Sequence, residues 1–281
     1  LLELDALPTR YAILEPSADL RERQRERLGR RLIPPVFELV EWLDAPPDET
    51  WNGVLFANEV IDALPTPRFT LRDGEVFEEG VALDGEGRFV RTDRPADALL
   101  SAAVRHVERY LDAPFPDGYR SELLPQLPYW IQAVMGGLDK GVMLFADYGY
   151  PRREFYQADR DDGTLRAYYR HRVHNDAYLW PGLQDITASV DFTALAEAGT
   201  NAGFDLAGYT TQANFLLGNG LQERLDEAQA RADEATLLRL RNEAKRLTLP
   251  SEMGERFQLM GFSRDVEFGA AFLFNDLSWR L

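Results

Sequence analysis

Polar side chains that can do chemistry follow an apolar run in the first quarter of the chain. The run, residues 53–57, has the length and composition of a buried strand, and Asn58, Glu59 and Asp62 come after it. In an open α/β sheet, the groups at the carboxyl end of a strand form the ligand site. We therefore predict that these two carboxylates and the amide form the centre of a binding or catalytic site.

Another acid stands at the end of an earlier strand. Tyr11–Leu14 is a short apolar run followed by Glu15, Pro16 and Ser17, and Ser17 suits the N-cap of a charged helix over Ala18–Arg31. A carboxylate between a strand and a helix can hold the two hydroxyl groups of a nucleotide ribose. It can equally favour the positive end of the helix dipole. The fragment alone leaves both interpretations of Glu15 open.

A further pair of polar and aromatic groups follows a second apolar run. Residues 141–146 predict a buried strand, and Asp147 and Tyr148 come directly after it. Because this repeats the pattern at Asn58 and Glu59, we expect both sets at the same edge of the sheet. The structural alternative for Asp147 is that it caps the next turn.

The stretch over residues 151–181 has no clean periodicity and is rich in tyrosine and arginine. A long irregular loop in a compact domain is usually functional, so we predict a lid or binding loop here. Enrichment in aromatic residues and arginine is also typical of recognition surfaces. The alternative is an ordered surface segment that packs on itself.

The rest of the chain predicts an α/β fold in which crossovers join parallel strands. Hairpin turns at residues 73–74 and 84–87 indicate a small antiparallel insertion over residues 68–91. The other predicted elements are a strand over 36–43, helices over 96–111 and ending near 135, a helix over 192–202 with Asp191 as its N-cap, a strand over 209–217, a long charged helix ending near 246, and two antiparallel edge strands over 257–260 and 268–274.

No internal repeat or low-complexity linker divides the chain. We therefore predict one domain, residues 1–281, with insertions over about 68–135 and 151–183. The first residues, LLELDALP, have the pattern of the last turns of a helix that Pro8 ends. A domain rarely begins within such a pattern, so we expect a strand and its following loop to precede Leu1.

Composition excludes several kinds of site. The net charge is −16, from 47 acidic and 31 basic residues, which argues against a duplex nucleic-acid binder because such a protein needs a basic face. The chain has no cysteine, so disulfides, thiolate metal sites and cysteine nucleophiles are excluded, and with three histidines we expect no metal site. Because no apolar run approaches the roughly 20 residues that span a bilayer, we expect no membrane insertion.

Segments along the whole chain, Leu1–Leu281, resemble the MidA-like family of class I S-adenosylmethionine-dependent methyltransferases. They are YAILEPSADLRERQ, FANEVIDALPTPRF, DYGYPRREFY, GTLRAYYRHR, PGLQDITASVDFTAL, QANFLLGNG and EMGERFQLM. The resemblance implies a Rossmann-like, doubly wound sheet with an antiparallel C-terminal edge and inserted hairpin and helical segments. It also implies S-adenosylmethionine as the cofactor. The glycine-rich loop that follows the first strand in this family is not in the sequence, so we expect this stretch alone to bind the cofactor weakly or not at all.

The resemblance implies a cofactor side of the site. Glu15, with Pro16 beside it, matches the acid that holds the ribose hydroxyl groups. Leu43 and Asp44, which follow the third strand of the family fold, match the residues that border the adenine. Asn58 would line the site from which the methyl group is transferred.

The resemblance also implies a catalytic centre and a substrate side. Glu59, Asn58 and Asp62 are the catalytic candidates, with Glu59 as the first choice. The residues expected on the substrate side are Asp147, Tyr148, Asp185 and Asp191.

Mitochondrial members of the family are complex I assembly factors that methylate an arginine of a respiratory-chain subunit. The resemblance therefore implies a protein arginine N-methyltransferase whose partner is a protein substrate. A guanidinium group arrives charged, and carboxylates can bind it bidentately until a proton leaves. Methylation of another substrate, and a non-catalytic assembly factor that uses the fold for binding, are the alternatives; a nicotinamide-dependent oxidoreductase shares only the strand, acid and helix pattern. We expect a cytoplasmic location in a bacterium or the mitochondrial matrix in a eukaryote, and we leave a homodimer open.

Overall fold

The computed structural model describes residues 1, 4–170 and 172–281 as an α/β protein. The strands are β1 (Tyr11–Leu14), β2 (Val40–Leu43), β3 (Trp51–Asn58), β4 (Arg68–Arg72), β5 (Glu75–Leu83), β6 (Phe89–Pro95), β7 (Arg120–Glu122), β8 (Leu138–Tyr150), β9 (Arg166–Tyr169), β10 (Arg172–His174), β11 (Asp185–Thr187), β12 (Val190–Asp191), β13 (Asp205–Thr211) and β14 (Phe257–Arg264). The helices are α1 (Ala18–Arg31), α2 (Pro34–Phe37), α3 (Ala98–Glu108), α4 (Leu127–Met135), α5 (Arg152–Phe155), α6 (Phe192–Asn201), α7 (Gln212–Gly218), α8 (Leu221–Gln229) and α9 (Glu234–Thr248), with short 3-10 helices at Gly269–Phe272 and Ser278–Arg280.

The central sheet has the order β3–β8–β14–β13. β3 runs parallel to β8, whereas β14 runs antiparallel to both β8 and β13. β12 pairs in parallel with the last residues of β8, beyond the point where β3 ends. This mixed sheet with its antiparallel C-terminal strand confirms the predicted fold class.

Two glycines bring β3 and β8 together. Gly53 lies directly opposite Gly141 in the parallel register of the two strands. A Cβ atom on Gly141 would lie 2.0 Å from the carbonyl oxygen of Gly53, so a side chain at this position would push the strands apart. The apolar run that contains Gly53 is thus held in register by backbone contact as well as by hydrogen bonds.

The prediction that residues 53–57 form a strand is confirmed, but the prediction that this strand is buried is wrong. Val54 is 71% exposed and Phe56 is 62% exposed. Among the described residues, β3 pairs only with β8, and no strand pairs with its other edge. Leu55 and Ala57 pack against the main core, whereas Val54 and Phe56, on the opposite face, lack the neighbours that burial requires.

The main core lies against the central sheet. α4 and α6 pack on it, and its fully buried members include Ile131, Phe145, Phe192, Tyr209 and Phe262. A second cluster fills the space between α3 and an antiparallel sheet of order β6–β5–β4–β7. The hairpin insertion predicted over residues 68–91 is the first part of this sheet, so its predicted pairing is confirmed.

The stretch over residues 151–181 is not the irregular loop that the sequence predicts. It contains α5 and part of a small antiparallel sheet of order β10–β9–β11. Trp180 packs on one face of this sheet, with ring centroids 4.5 Å from Tyr169 and 5.4 Å from His174. The strands are too short to show a period, which explains why the sequence concealed them. His171 lies outside the described residues.

Two predicted strands are partly helical. Residues 36–37 belong to α2, because Pro34 occupies its first turn, where a fixed φ and a missing N–H are tolerated. The predicted strand over 209–217 ends at Thr211, whose side chain accepts a hydrogen bond from the Asn214 N–H at 3.3 Å and so caps α7.

The C-terminal elements also differ from prediction. The single charged helix predicted to end near 246 is two helices, α8 and α9, and Asp233 caps the second by accepting from the Thr236 N–H at 2.8 Å. The predicted strand over 268–274 is instead the 3-10 helix at Gly269–Phe272. Its ring at Phe272 is buried against Gly208 and Gly261, which have no Cβ in its way. Within the described ranges, no helix is long and apolar enough to cross a membrane.

Candidate active site

The candidate site lies at a gap on one edge of β8. β3 leaves this edge at Asn58, opposite Ala146, and β12 joins it at Val190, opposite Gly149. Asp147 and Tyr148 lie between these two points. The sequence predicts that they follow the strand, but both lie within β8. They do stand at the sheet edge beside Asn58, as expected.

Asp147 is buried and binds the backbone of the turn that follows β3. Its Oδ2 atom accepts hydrogen bonds from the N–H groups of Val60, Ile61 and Asp62, at 3.3, 3.0 and 3.3 Å. Its Oδ1 atom accepts from the Tyr148 N–H at 2.9 Å. The carboxylate thus turns three consecutive N–H groups toward one oxygen, as backbone anion-binding nests do.

Glu59 begins this turn in the left-handed region of backbone conformation, with φ of +51°. Such a conformation costs a non-glycine residue about 1–2 kcal/mol. Its N–H donates to the Ala146 carbonyl at 2.9 Å, and its exposed carboxylate accepts from the Asn58 side-chain amide at 3.2 Å. Asn58 and Glu59 therefore lie side by side at the mouth of the gap, as predicted.

Asp62 lies at the other end of the turn and is 5% exposed. Its Oδ1 atom is buried and has no hydrogen-bond partner among the described residues. Burial raises the pKa of Asp62 to about 6, and the charges of Glu59 and Asp185 contribute in the same direction. Burial and the neighbouring Asp62 likewise raise the pKa of Asp147 to about 7, against the opposing effect of its backbone hydrogen bonds. Four carboxylates therefore lie close together at this edge of the sheet, those of Glu59, Asp62, Asp147 and Asp185.

The small sheet supplies the other wall of the site. Tyr168 of β9 pairs directly with Asp185 of β11, so both side chains point to the same face. Burial raises the pKa of Tyr148 to about 12, and the charges of Glu59 and Tyr168 act in the same direction. The Tyr148 ring also lies 3.9 Å, centroid to centroid, from Phe257. Acids and tyrosines from two sheets thus surround the gap between β3 and β12 on the edge of β8.

Asp191 has structural contacts instead of an open position in the site. Its Oδ1 atom accepts from the Ala194 N–H at 3.0 Å, which confirms the predicted N-cap of α6, and its Oδ2 atom accepts from Arg152 at 3.2 Å. Arg152 in turn binds Glu197 bidentately, at 2.7 and 2.5 Å. A substrate contact of Asp191 stays a prediction, but both of its oxygens already have partners.

The second group of predicted residues lies at the carboxyl ends of β1 and β2, which pair in parallel. Glu15 accepts from the Ser17 N–H at 2.9 Å and from the Gln24 side chain at 3.3 Å. Each carboxylate oxygen keeps a free lone pair, so Glu15 can still accept from two hydroxyl groups. Both of its proposed roles are thus compatible, and Pro16 follows it as an exposed residue of the turn.

Arg21 joins the ends of these two strands. Its guanidinium donates to the Glu15 carbonyl, to the Leu43 carbonyl at 2.6 Å and to the Asp44 carboxylate at 2.5 Å. Hydroxyl acceptors at Glu15 beside the apolar side chain of Leu43 fit the chemistry of an adenosine group. The sequence does not single out Arg21, because α1 contains many charged residues with helical spacing. This spacing does not show which of them contacts another strand.

An ion-pair network, of which Asp162 is the one exposed member, joins the segment that contains β9 to the sheet of order β6–β5–β4–β7, called the hairpin sheet below. Arg68 pairs with Glu79 at 3.1 Å and with Asp162 at 3.0 Å, and Arg120 pairs with Glu79 at 3.1 Å. Glu122 accepts from the N–H and hydroxyl groups of residue 164. We call these residues, Arg68, Glu79, Arg120, Glu122 and Asp162, the insertion network. It holds the segment that carries Tyr168 in place.

The carboxylates of the site do not form a metal centre. In the part of the chain that the structure describes, no group of three or more His, Cys, Asp or Glu side chains is arranged to hold a metal ion. The four acids at the gap are spread over the turn that follows β3, strand β8 and the small sheet. Such an arrangement can surround an extended cation that carries several N–H donors.

The comparisons with known proteins agree with this geometry. A family model described as "Putative S-adenosyl-L-methionine-dependent methyltransferase" matches residues 3–210. The mitochondrial protein arginine methyltransferase NDUFAF7 of Danio rerio is 30% identical over 217 residues, which cover 73% of this chain and 46% of that protein. Its homologue in Drosophila melanogaster is 28% identical over 222 residues, 74% of this chain and 46% of that protein. The chain thus spans about half the length of the curated relatives that it matches.

Two crystal structures from Burkholderia thailandensis are similar over the whole chain. One is a native structure of an uncharacterized protein, with 40% identity, a TM-score of 0.89 and coverage of 100% of this chain and 73% of that chain. The other is described as a "likely methyl transferase" bound to S-adenosyl-homocysteine, with 40% identity, a TM-score of 0.90 and coverage of 100% and 70%. The family match extends from before Glu15 to beyond Asp191, so it includes every predicted site residue. The chain therefore belongs to this family of S-adenosyl-L-methionine-dependent methyltransferases.

Proposed function

We propose that this chain is the methyltransferase region of a protein arginine N-methyltransferase. The observation that carries the proposal is the group of acids at the gap on the edge of β8. There, the exposed Glu59 and Asp185 lie near the buried Asp62. The names of the Danio rerio and Drosophila melanogaster relatives support the same acceptor. S-adenosylmethionine supplies the methyl group when it is bound.

The acids suit a guanidinium better than a neutral acceptor. Arginine stays charged at all physiological pH values and presents five N–H donors in a plane. Glu59 and Asp62 lie at opposite ends of one turn, and Asp185 approaches from the small sheet. Charge-assisted, bidentate hydrogen bonds from these carboxylates would fix the plane of the guanidinium. Tyr148 and Tyr168 would cover its faces, since aromatic rings attract such cations by up to about 2 kcal/mol.

We propose that Asp62 is the general base that takes the proton from the guanidinium nitrogen of the substrate. A guanidinium nitrogen must lose a proton as its bond to the methyl carbon forms. Burial raises the pKa of Asp62 to about 6, which makes its carboxylate a better base than an exposed aspartate while it stays largely ionised at neutral pH. Alignment of the reacting atoms by such contacts can contribute about 7–11 kcal/mol to lowering the barrier.

The cofactor side of the proposal uses the strand pair β1–β2. Glu15 would accept from the ribose hydroxyl groups, and Leu43 and Asp44 would border the adenine, with Arg21 holding these groups together. Asn58 would face the cofactor from the end of β3. These roles follow from the donor and acceptor chemistry of each side chain and from the resemblance to the family.

A labelled-methyl assay with arginine-containing and lysine-containing peptides tests the function. With the full-length protein, we expect transfer to the arginine peptides. Glu59→Gln and Asp62→Asn should each lower this transfer by at least about a hundredfold, since each loses a charged contact to the cation. Glu86→Gln is the matched control, because Glu86 is an exposed acid on the hairpin sheet, and its rate should equal that of the wild type. Transfer to lysine alone would replace the acceptor, whereas wild-type rates in both site variants would refute the roles given to the acids.

The finer assignments rest on the family resemblance alone. A respiratory-chain subunit as the acceptor, a role in complex I assembly, a homodimer, and location in the bacterial cytoplasm or the mitochondrial matrix stay predictions. Calorimetry of the full-length protein with S-adenosylmethionine and with NADH separates the methyltransferase from an oxidoreductase. A chain that binds the respiratory subunit equally well in wild-type and Glu59→Gln forms, and methylates nothing, would instead be the non-catalytic assembly factor.

A further inference from the structure

We propose that Asp147 is the positioning residue of this site and that it acts through the backbone of residues 60–62 rather than by contact with the acceptor. The inference rests on the proposed function, since it concerns how Glu59 and Asp62 are placed for the methyl acceptor. It moves Asp147 from the substrate side, where the sequence put it, to the support of the catalytic turn.

The hydrogen bonds of Asp147 carry the inference. One oxygen accepts from three consecutive N–H groups, those of Val60, Ile61 and Asp62, and the other accepts from the Tyr148 N–H. Asp147 is 2% exposed, so its carboxylate is withdrawn from any acceptor that arrives from solvent. Every polar atom of the side chain is thus committed to the backbone.

The turn that Asp147 holds is one that would not keep its shape unaided. Glu59, its first residue, has a φ of +51°, a conformation that favours glycine. Asp62, at its other end, has a buried carboxylate oxygen for which the described part of the chain supplies no partner. Its backbone carbonyl accepts from the Ala188 N–H at 3.1 Å. The Asp147 carboxylate binds the N–H groups of the three residues that follow Glu59, up to and including Asp62. It therefore fixes the backbone from which Glu59 and Asp62 present their own carboxylates.

The position of Asp147 in the sheet makes it a rigid support. β14 pairs with β8 at this point, with Gln258 opposite Asp147. β3 ends one residue earlier on the other edge, opposite Ala146. β8 is thus paired on both edges up to Ala146, and the next residue places its carboxylate in the gap. Through its hydrogen bonds, Asp147 connects the turn to this rigid part of the sheet.

Two variants, Asp147→Ala and Asp147→Asn, test the inference. In amide hydrogen exchange, we expect Asp147→Ala to raise the exchange rates of residues 60–62 by at least about tenfold, while residues 143–145 keep their wild-type rates. Asp147→Asn keeps an acceptor oxygen and should show a smaller increase. Unchanged rates at 60–62, or an equal rise throughout β8, would overturn the positioning role.

Methyl transfer supplies the second readout. We expect Asp147→Ala to lower kcat by at least about tenfold, with the KM for S-adenosylmethionine changed less than about twofold, and Asp147→Asn to recover part of kcat. The control is Asp97→Ala, which removes the N-cap of α3 and lowers the melting temperature without touching the site. Wild-type kcat in Asp147→Ala would overturn the inference. If the wild-type full-length protein transfers no methyl group, the proposed function fails, and the exchange rates alone decide whether Asp147 holds the turn.

Discussion

Replacement of Asp62 by asparagine should make the protein more stable at alkaline pH while it removes methyl transfer. The reason is that Asp62 is a carboxylate buried beside other acids, with one oxygen that has no partner among the described residues. Folding therefore disfavours the charged form of Asp62, because it removes the carboxylate from water and places it near other negative charges. Such perturbed pKa values are typical of functional groups. Asparagine has nearly the same shape without the charge.

The magnitude follows from the pKa of Asp62, which rises from 3.8 to about 6. At 1.36 kcal/mol for each unit, the charged form is disfavoured by about 3 kcal/mol in the folded state. Between about pH 4 and pH 6 the native state holds a proton that the unfolded chain has released, so stability falls as the pH rises through this window. The full cost is present above about pH 6 and disappears below about pH 4.

Asparagine recovers most of this cost. Its buried amide leaves polar atoms that cost about 1 kcal/mol, so the expected net gain at pH 8 is about 2 kcal/mol, or roughly 3 °C in Tm for a chain of this length. At pH 4 the variant should be no more stable than the wild type. Urea denaturation at pH 4 and pH 8 measures both values, and Asp97→Asn, which keeps the N-cap of α3, is the matched control. A loss of stability at pH 8, or a gain independent of pH, would refute the reasoning.

Three other substitutions have definite expected effects. Arg152→Met leaves Asp191 buried without its cation and should cost about 3–5 kcal/mol in urea denaturation, with recovery on adding Asp191→Asn; a cost below about 1 kcal/mol would contradict the buried pair. Gly163→Ala, at a φ of +73° and with a Cβ position 2.1 Å from the Glu122 carboxylate, should lower stability by about 1–3 kcal/mol, and an unchanged Tm would show that the loop can shift. In the full-length protein, Arg21→Gln should weaken S-adenosyl-homocysteine binding by about tenfold in calorimetry while changing stability by less than about 1 kcal/mol. Equal affinity would separate Arg21 from the cofactor site.

The sequence predicted the sheet and its polar edge because both depend on local pattern. Apolar runs predicted β3 and β8, and Glu59, directly after β3, and Asp147, within β8, lie at the same edge of the sheet. Asp191 was a visible N-cap because the rule needs only the residues of one helix start. The sequence could not show which of these acids contact a ligand and which support the backbone, because that depends on burial and on bonds between residues far apart in the chain.

What the sequence missed depended on such distant contacts. Tyr168 enters the site only through its pairing with Asp185 across two strands of three or four residues, which are too short for a period to appear. Arg21 reaches β2 from α1, a contact that helix periodicity does not encode. The 3-10 helix around Phe272 replaces a predicted strand because Gly208 and Gly261 leave room for its ring, and a run of apolar residues alone cannot reveal such a space.

The insertion network has a consequence for how this protein can be rebuilt. Glu79, Arg120 and Arg68 belong to the hairpin sheet, and Asp162 belongs to the segment over 151–183, so the two parts of the chain share one ion-pair network. A chimera that exchanged only the segment over 151–183 for that of a relative could remove the carbonyl and carboxylate of Asp162 from Arg68. Arg68 would keep Glu79 and Glu122, but its Nη2 would lose these hydrogen bonds. The hairpin sheet and the segment that carries Tyr168 should therefore be transplanted together, as a single cassette.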